Sequence, residues 1–152
     1  MDLILWRHAE AAEDGFEDDL ERPLTPRGER QAARMAAWLN HRLPATARVL
    51  ASPALRTQQT AKALDRRFKT VDALAPGCSV AALLEAARWP KSKAPVLVVG
   101  HQPTLGLAAA TLLAGAAQPW SVRKAALWWL RSRERDGEGQ TVLVAVLGPE
   151  QL

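Results

Sequence analysis

The chain has 152 residues, 48% of them hydrophobic and 24% charged, with a net charge of +4. That is the composition of a globular protein long enough to bury a substantial core, and no apolar run approaches the roughly 20 residues of a membrane span. Met1-Asp2-Leu3 lacks the basic start of a secretory signal, and Cys78 is the only cysteine. An internal disulfide is therefore excluded, and a cytoplasmic protein is expected.

The elements alternate strand and helix, which predicts an α/β domain over residues 1–152, a three-layer αβα sandwich with a mostly parallel central sheet. A first strand covers about 2–7. The acidic stretch 9–24 has no periodicity and predicts an irregular loop. Thr25-Pro26 reads as an N-cap followed by proline in the first helical position. The helix after it, to about Arg42, carries Ala32, Met35, Ala36, Leu39 and Leu43 at helical spacing. Val49-Leu50-Ala51 predicts a second strand, and Ser52-Pro53 a second helix with the same cap logic, placing Thr57, Ala61, Leu64 and Phe68 on one face. A short strand is expected at 71–74 and a short helix at 79–88. Val96-Leu97-Val98-Val99 reads as a strand buried on both faces, and Pro103 opens a helix to about Leu113. Strands at about 124–130 and 141–147 read as a hairpin at a sheet edge.

Charge is distributed unevenly. Residues 1–21 hold eight acidic groups and one basic group, Arg7, whereas residues 22–69 hold eleven Lys and Arg against Glu29 and Asp65. A basic surface of this kind attracts anionic partners. Nucleic acid is not expected among them, because no interleaving of basic and aromatic residues and no nucleic-acid motif is present.

Three strand-to-helix junctions carry unusual residues. The first delivers Arg7 and His8 from an apolar strand, the second puts Arg56 in the first turn of a helix, and the third sets His101 just beyond Val96–Gly100. In open α/β sheets, ligands bind beyond the carboxyl ends of the strands. A lone cation in a helix's first turn opposes the helix dipole, but an anionic ligand there makes it favourable. Two histidines and two arginines so placed suit phosphoryl transfer. A neutral imidazole attacks phosphorus to give a phosphohistidine. Neighbouring arginines lower the histidine's pKa and neutralise the transferring group. No metal and no other cofactor is required. His8, His41 and His101 show no ligand spacing, and His41 reads as a surface residue. Cys78, beside Pro76-Gly77, reads as a turn residue. The tryptophans read as core or sheet-face residues, with Trp89 and Trp120 able to line a partner surface. Gly28, a poor helix former, is expected to permit close backbone packing near the site.

Arg7-His8-Ala9-Glu10, Leu24-Thr25-Pro26-Arg27-Gly28, the run from Ser52 to Ala61 and Gly100-His101-Gln102-Pro103 resemble the histidine phosphatase superfamily, the phosphoglycerate-mutase-like group. The four motifs occur in order across nearly the whole chain. The short length and the Arg22–Gly28 segment look most like its SixA-type phosphohistidine phosphatases. The resemblance implies a phosphoglycerate-mutase-like fold with a minimal cap, His8 as phosphoryl acceptor, and a phosphate pocket of Arg7, Arg56 and His101. Ala9 departs from the family's usual glycine, and Gln102 stands where the SixA-type branch commonly has glutamate. The glutamate general acid that relatives carry in an inserted cap has no counterpart that can be placed. Glu10, Asp18 and Asp19 in the acidic loop are candidates for an acid or a water-activating base, with solvated surface as the favoured reading of each.

About 35 residues separate Ala61 from Val96, and a short strand and helix use most of them, so the pocket is expected to be open. An open pocket suits a phosphoryl group presented on a protein. The leading expectation is a metal-independent phosphohistidine phosphatase, acting as a monomer on a histidine-phosphorylated signalling or phosphotransfer protein. The alternatives are a broad phosphomonoesterase on small esters and a catalytically inactive phosphohistidine-binding module.

Overall fold

The computed structural model describes residues 1–152. Six strands form one sheet: β1 (Asp2–Arg7), β2 (Arg48–Ala51), β3 (Lys69–Thr70), β4 (Val96–Gly100), β5 (Leu127–Arg135) and β6 (Glu138–Leu147), in the order β3-β2-β4-β1-β5-β6. The first four in that order run parallel, β5 pairs antiparallel with β1, and β6 pairs antiparallel with β5. Helices α1 (Pro26–Asn40) and α2 (Leu55–Lys62) cover one face, and α3 (Val80–Ala87) and α4 (Thr104–Ala114) the other.

Strand alternation explains both layers. Ile4, Trp6, Val49, Ala51, Leu97 and Val99 pack toward α1 and α2, while Leu3, Leu5, Leu50, Val96 and Val98 pack toward α3 and α4. Successive side chains point to opposite faces, so a strand apolar at every position needs a helix layer on both sides. The expected α/β sandwich is therefore the fold observed. Thr25 caps α1 as its sequence predicts, its Oγ1 accepting from the Gly28 amide at 3.0 Å, and Ala32, Met35, Ala36 and Leu39 form the buried stripe. Burying each of the two larger side chains contributes roughly 1.5–3 kcal/mol. The hairpin turns at Asp136-Gly137, both with positive φ (54° and 80°), as a two-residue turn matched to strand twist requires.

Four local expectations are corrected. The acidic stretch contains one 3-10 turn, Asp19–Glu21, and a bridge between Ala11 and Leu24. α2 begins at Leu55 rather than beside Ser52, without a side-chain cap, and it ends before Leu64 and Phe68. The strand expected at 71–74 lies at Lys69–Thr70, and Asp72–Leu74 is a 3-10 turn. The hairpin strands extend through the polar residues read as their connecting turn. No helix is long and apolar enough to cross a membrane.

Candidate active site

The sheet register brings the three junctions together. Arg7 pairs with Gly100 across β1 and β4, and Ala51 with Val99 across β2 and β4. The ladder continues one step past the strands: the His8 amide donates to Gly100 O and the Ser52 amide to Val99 O, both at 3.2 Å. His8, His101 and Ser52 thus leave three neighbouring parallel strands side by side. The two imidazole centroids lie 5.4 Å apart, and His8, Arg56 and His101 are all buried.

Each side chain is fixed from behind. His8 Nδ1 lies 2.8 Å from Ala9 O. A carbonyl only accepts, so Nδ1 carries the proton and Nε2 keeps its lone pair. The Ala9 amide donates to Thr60 Oγ1 (3.1 Å), and the Ala125 amide donates to His8 O (3.1 Å). Arg7 Nη1 donates to Val122 O at 3.0 Å. His101 Nε2 lies 2.7 Å from Ser52 Oγ. Arg56 Nη1 and Nη2 donate to Asp19 O (2.7 Å) and Asp19 Oδ2 (2.9 Å), and Asp19 also accepts from Arg22 Nε at 3.0 Å. Arg7 Nε, Arg56 Nε and His101 Nδ1 are buried without any partner. Buried polar atoms are rarely left unpaired.

The electrostatics favour an anion. Burial, above all, pushes the His8 pKa down to about 4, with Arg56, Arg7 and Arg22 adding to it against the opposing Ala9 carbonyl. His101 falls to about 3, first by burial and then through His8 and Arg56. Burial, then Arg56, lowers the Arg7 guanidinium. Both imidazoles are therefore neutral at pH 7, as the sequence reading expected for His8, although burial and not arginine charge is the main cause.

Ser52, Thr60, Asp19 and Gln102 were not read as site residues from sequence. The sequence pattern reads Ser52 as a helix cap and Asp19 as solvated surface, yet Asp19 holds Arg56. Gln102 Nε2 donates to Trp120 O (2.8 Å) while its Oε1 accepts from the Gly106 amide (2.7 Å). A carboxylate cannot make the first of these bonds. Gly28 meets its expectation, since a Cβ there would run into Glu10 O. His41 is exposed and away from the cluster, and Cys78 sits in a turn with its carbonyl accepting from Thr104 Oγ1 (2.7 Å). Trp120 stacks on Trp128 with centroids 5.7 Å apart, and Trp89 packs on the core.

Residues 3–75 match the model of the histidine phosphatase superfamily (branch 1). The phosphohistidine phosphatase SixA of Escherichia coli is 34% identical over 128 residues, which cover 78% of each chain. The chain belongs to the histidine phosphatase superfamily. An uncharacterised protein of Mycobacterium tuberculosis is 37% identical over 109 residues, covering 70% of this chain and 68% of that one. The structure of the protein histidine phosphatase SixA complexed with tungstate superposes with a TM-score of 0.77 at 27% identity, covering 99% of both chains. This superfamily member uses the segment between α2 and β4 for β3, a 3-10 turn and α3. Leu74, Leu83 and Ala87 there are buried in the second core layer, so the segment packs on the sheet and builds no cap domain.

Proposed function

We propose that the protein is a phosphohistidine phosphatase, removing phosphate from a histidine-phosphorylated signalling or phosphotransfer protein through a covalent intermediate on His8. The observation that carries this reading is the His8 imidazole itself, buried and neutral beside two guanidiniums, with Nδ1 tied to Ala9 O and Nε2 left free. The unpartnered Arg7 Nε, Arg56 Nε and His101 Nδ1 are donors suited to phosphoryl oxygens. The SixA relative complexed with tungstate, an oxyanion, supports oxyanion binding by this chain. With positive charge already supplied by Arg7 and Arg56, the chemistry calls for no metal ion. The reading treats residues 1–152 as one histidine-phosphatase domain, working as a monomer.

In the first step His8 Nε2 attacks the phosphorus in line with the substrate's P–N bond. That bond breaks, the P–Nε2 bond forms, and the departing imidazole nitrogen takes up a proton. Arg7, Arg56 and His101 hold the charge of the phosphoryl oxygens throughout, and positioning of this kind supplies most of the acceleration in phosphoryl transfer. Water then attacks the phosphohistidine, releasing inorganic phosphate and restoring His8. An imidazole leaves more readily than an alkoxide, so a strong fixed acid is less necessary than for an ester. The absence of a cap favours a phosphoryl group carried on a protein surface, because free metabolites bind best where they are enclosed.

The test incubates wild type and His8→Ala with a histidine-phosphorylated carrier protein, and in parallel with p-nitrophenyl phosphate and sugar phosphates. Fast, His8-dependent loss of phosphate from the protein with slow ester turnover is expected. Efficient ester hydrolysis with the phosphoprotein untouched would transfer the site to small-molecule esters. No turnover of anything would leave a phosphate-binding module.

A further inference from the structure

The basic bias of residues 22–69 has a physical location outside the phosphate site. Arg27, Arg30 and Arg34 are exposed on one face of α1 and, with Gln31, Pro149 and Glu150, line a groove of about 590 Å³. The spacing places three guanidiniums along about 10 Å of helix. None of the chain's five ion pairs uses them. Glu150, the one carboxylate in the groove, already pairs with Arg123 at 3.2 Å. Charge there is strongly positive and unbalanced.

The groove is joined to the site at two points. Gln31 Oε1 accepts from the amide of Glu10 (3.0 Å), two residues past His8. On the other side, Glu150 of the groove pairs with Arg123, which follows Val122, whose carbonyl holds Arg7. We propose that this groove docks an acidic face of the histidine-phosphorylated protein, with carboxylates of the partner seated on Arg27, Arg30 and Arg34 while its phosphohistidine enters the site. The proposal rests on the phosphohistidine phosphatase reading and adds the partner's charge and orientation to it. The acidic loop, including Glu13, Asp14 and Glu17, lies in the chain between Glu10 and α1, so the partner's carboxylates face α1 and its neutral or basic side faces the loop. Protein is favoured over nucleic acid because no aromatic side chain lines the groove for base stacking. Complementary charge at such a rim acts on encounter and register.

The test compares wild type with the combined Arg27→Glu, Arg30→Glu and Arg34→Glu variant. The substrates are a phosphorylated histidine phosphotransfer domain of net negative charge, one of net positive charge, and phosphoramidate. For the acidic domain, kcat/KM should fall at least about tenfold and lose most of its salt dependence. Phosphoramidate turnover should stay at the wild-type rate, which also shows that the variant is folded. The Arg→Gln triple variant should move in the same direction by less. Equal turnover of the acidic domain by wild type and variant overturns the proposal. Preference for the basic domain, or tighter binding of duplex DNA than of the acidic domain, also overturns it. Fluorescence anisotropy with the unphosphorylated acidic domain separates the two levels. If no phosphohistidine is turned over, the enzymatic reading fails, and a tenfold affinity difference between wild type and variant still decides the docking surface.

Discussion

The guanidinium of Arg56 is held twice by Asp19, at 2.7 Å from its carbonyl and 2.9 Å from its carboxylate. Burial alone would raise the Asp19 carboxyl, but the hydrogen bonds from Arg56 and Arg22 outweigh it and hold the pKa below the ordinary carboxylate value. A phosphoryl group arriving at Arg56 therefore meets a carboxylate already in place, on a side chain that is still 58% exposed. Asp19→Asn keeps the shape and removes the competing charge. Phosphate should inhibit this variant about 2–5-fold more tightly, the scale of an exposed ion pair. Competition by inorganic phosphate against phosphoramidate measures it; weaker inhibition would mean that Asp19 orients Arg56 for the anion rather than competing with it.

Ser52 Oγ is the only hydrogen-bond partner of the buried His101 imidazole. Ser52→Ala leaves that imidazole with both nitrogens unpaired, a cost of about 1–3 kcal/mol. If His101 must be held to meet the phosphoryl group, kcat/KM falls by roughly tenfold to a hundredfold. Kinetics on phosphoramidate alongside a denaturant midpoint reads both effects. Unchanged turnover with lowered stability would confine Ser52 to folding.

Acid should act on stability before it acts on His8 chemistry. The folded pKa values of His8 and His101, about 4 and about 3, lie below the ordinary 6.5. Between these limits the unfolded chain binds protons that the folded chain does not. Their contribution is fully present above 6.5 and is lost as pH falls toward 4 for His8 and toward 3 for His101, with a slope of up to about 1.4 kcal/mol per pH unit for each histidine. Urea denaturation at a series of pH values should show this slope, reduced by about half in His8→Ala. The acid limb of kcat/KM, which reports the free enzyme, should fall below about pH 5; a limb at 6.5 would show that His8 titrates normally.

Gly28→Ala would put a methyl group into the carbonyl oxygen of Glu10. Overpacking costs about 1–3 kcal/mol, against a gain of about 1 kcal/mol in helix propensity. A net loss of stability is expected, together with reduced activity because Glu10 lies two residues from His8. Gly139→Ala, whose Cβ meets nothing within 4 Å, is the neutral control. Equal thermal midpoints for the two variants would show that the loop moves aside freely.

Features written in short-range pattern were legible before any coordinates. β4 has the limits of its apolar run, α1 starts behind its Thr25 cap, and the Arg-His pair falls at the carboxyl edge of β1. What escaped sequence reading depends on partners far along the chain. Asp19 meets Arg56 across 37 positions and Ser52 meets His101 across 49. Ser52 also showed how a local rule misleads. A serine before proline looks like a helix cap, but its hydroxyl accepts from Ala54 in a turn and is shared with His101. Nothing in residues 9–24 announced that a charged loop would fold back onto an arginine.

The hydrogen bonds that run from residues 122–126 to Trp6, Arg7 and His8 have a consequence for synthesis. The Arg-His pair is made well before its partners, for β1 sits between two strands that emerge after residue 95 and after residue 126. Until the second of these has left the exit tunnel, the apolar strand Leu3–Trp6 lacks one of its two sheet neighbours, and the loop that seats Arg7 and His8 has no anchor. Arg7 and His8 are thus made before Ser52, Arg56 and His101 yet are among the last of that cluster to be locked in place. A nascent chain stalled short of the hairpin should expose β1 to chaperones and bind no phosphate.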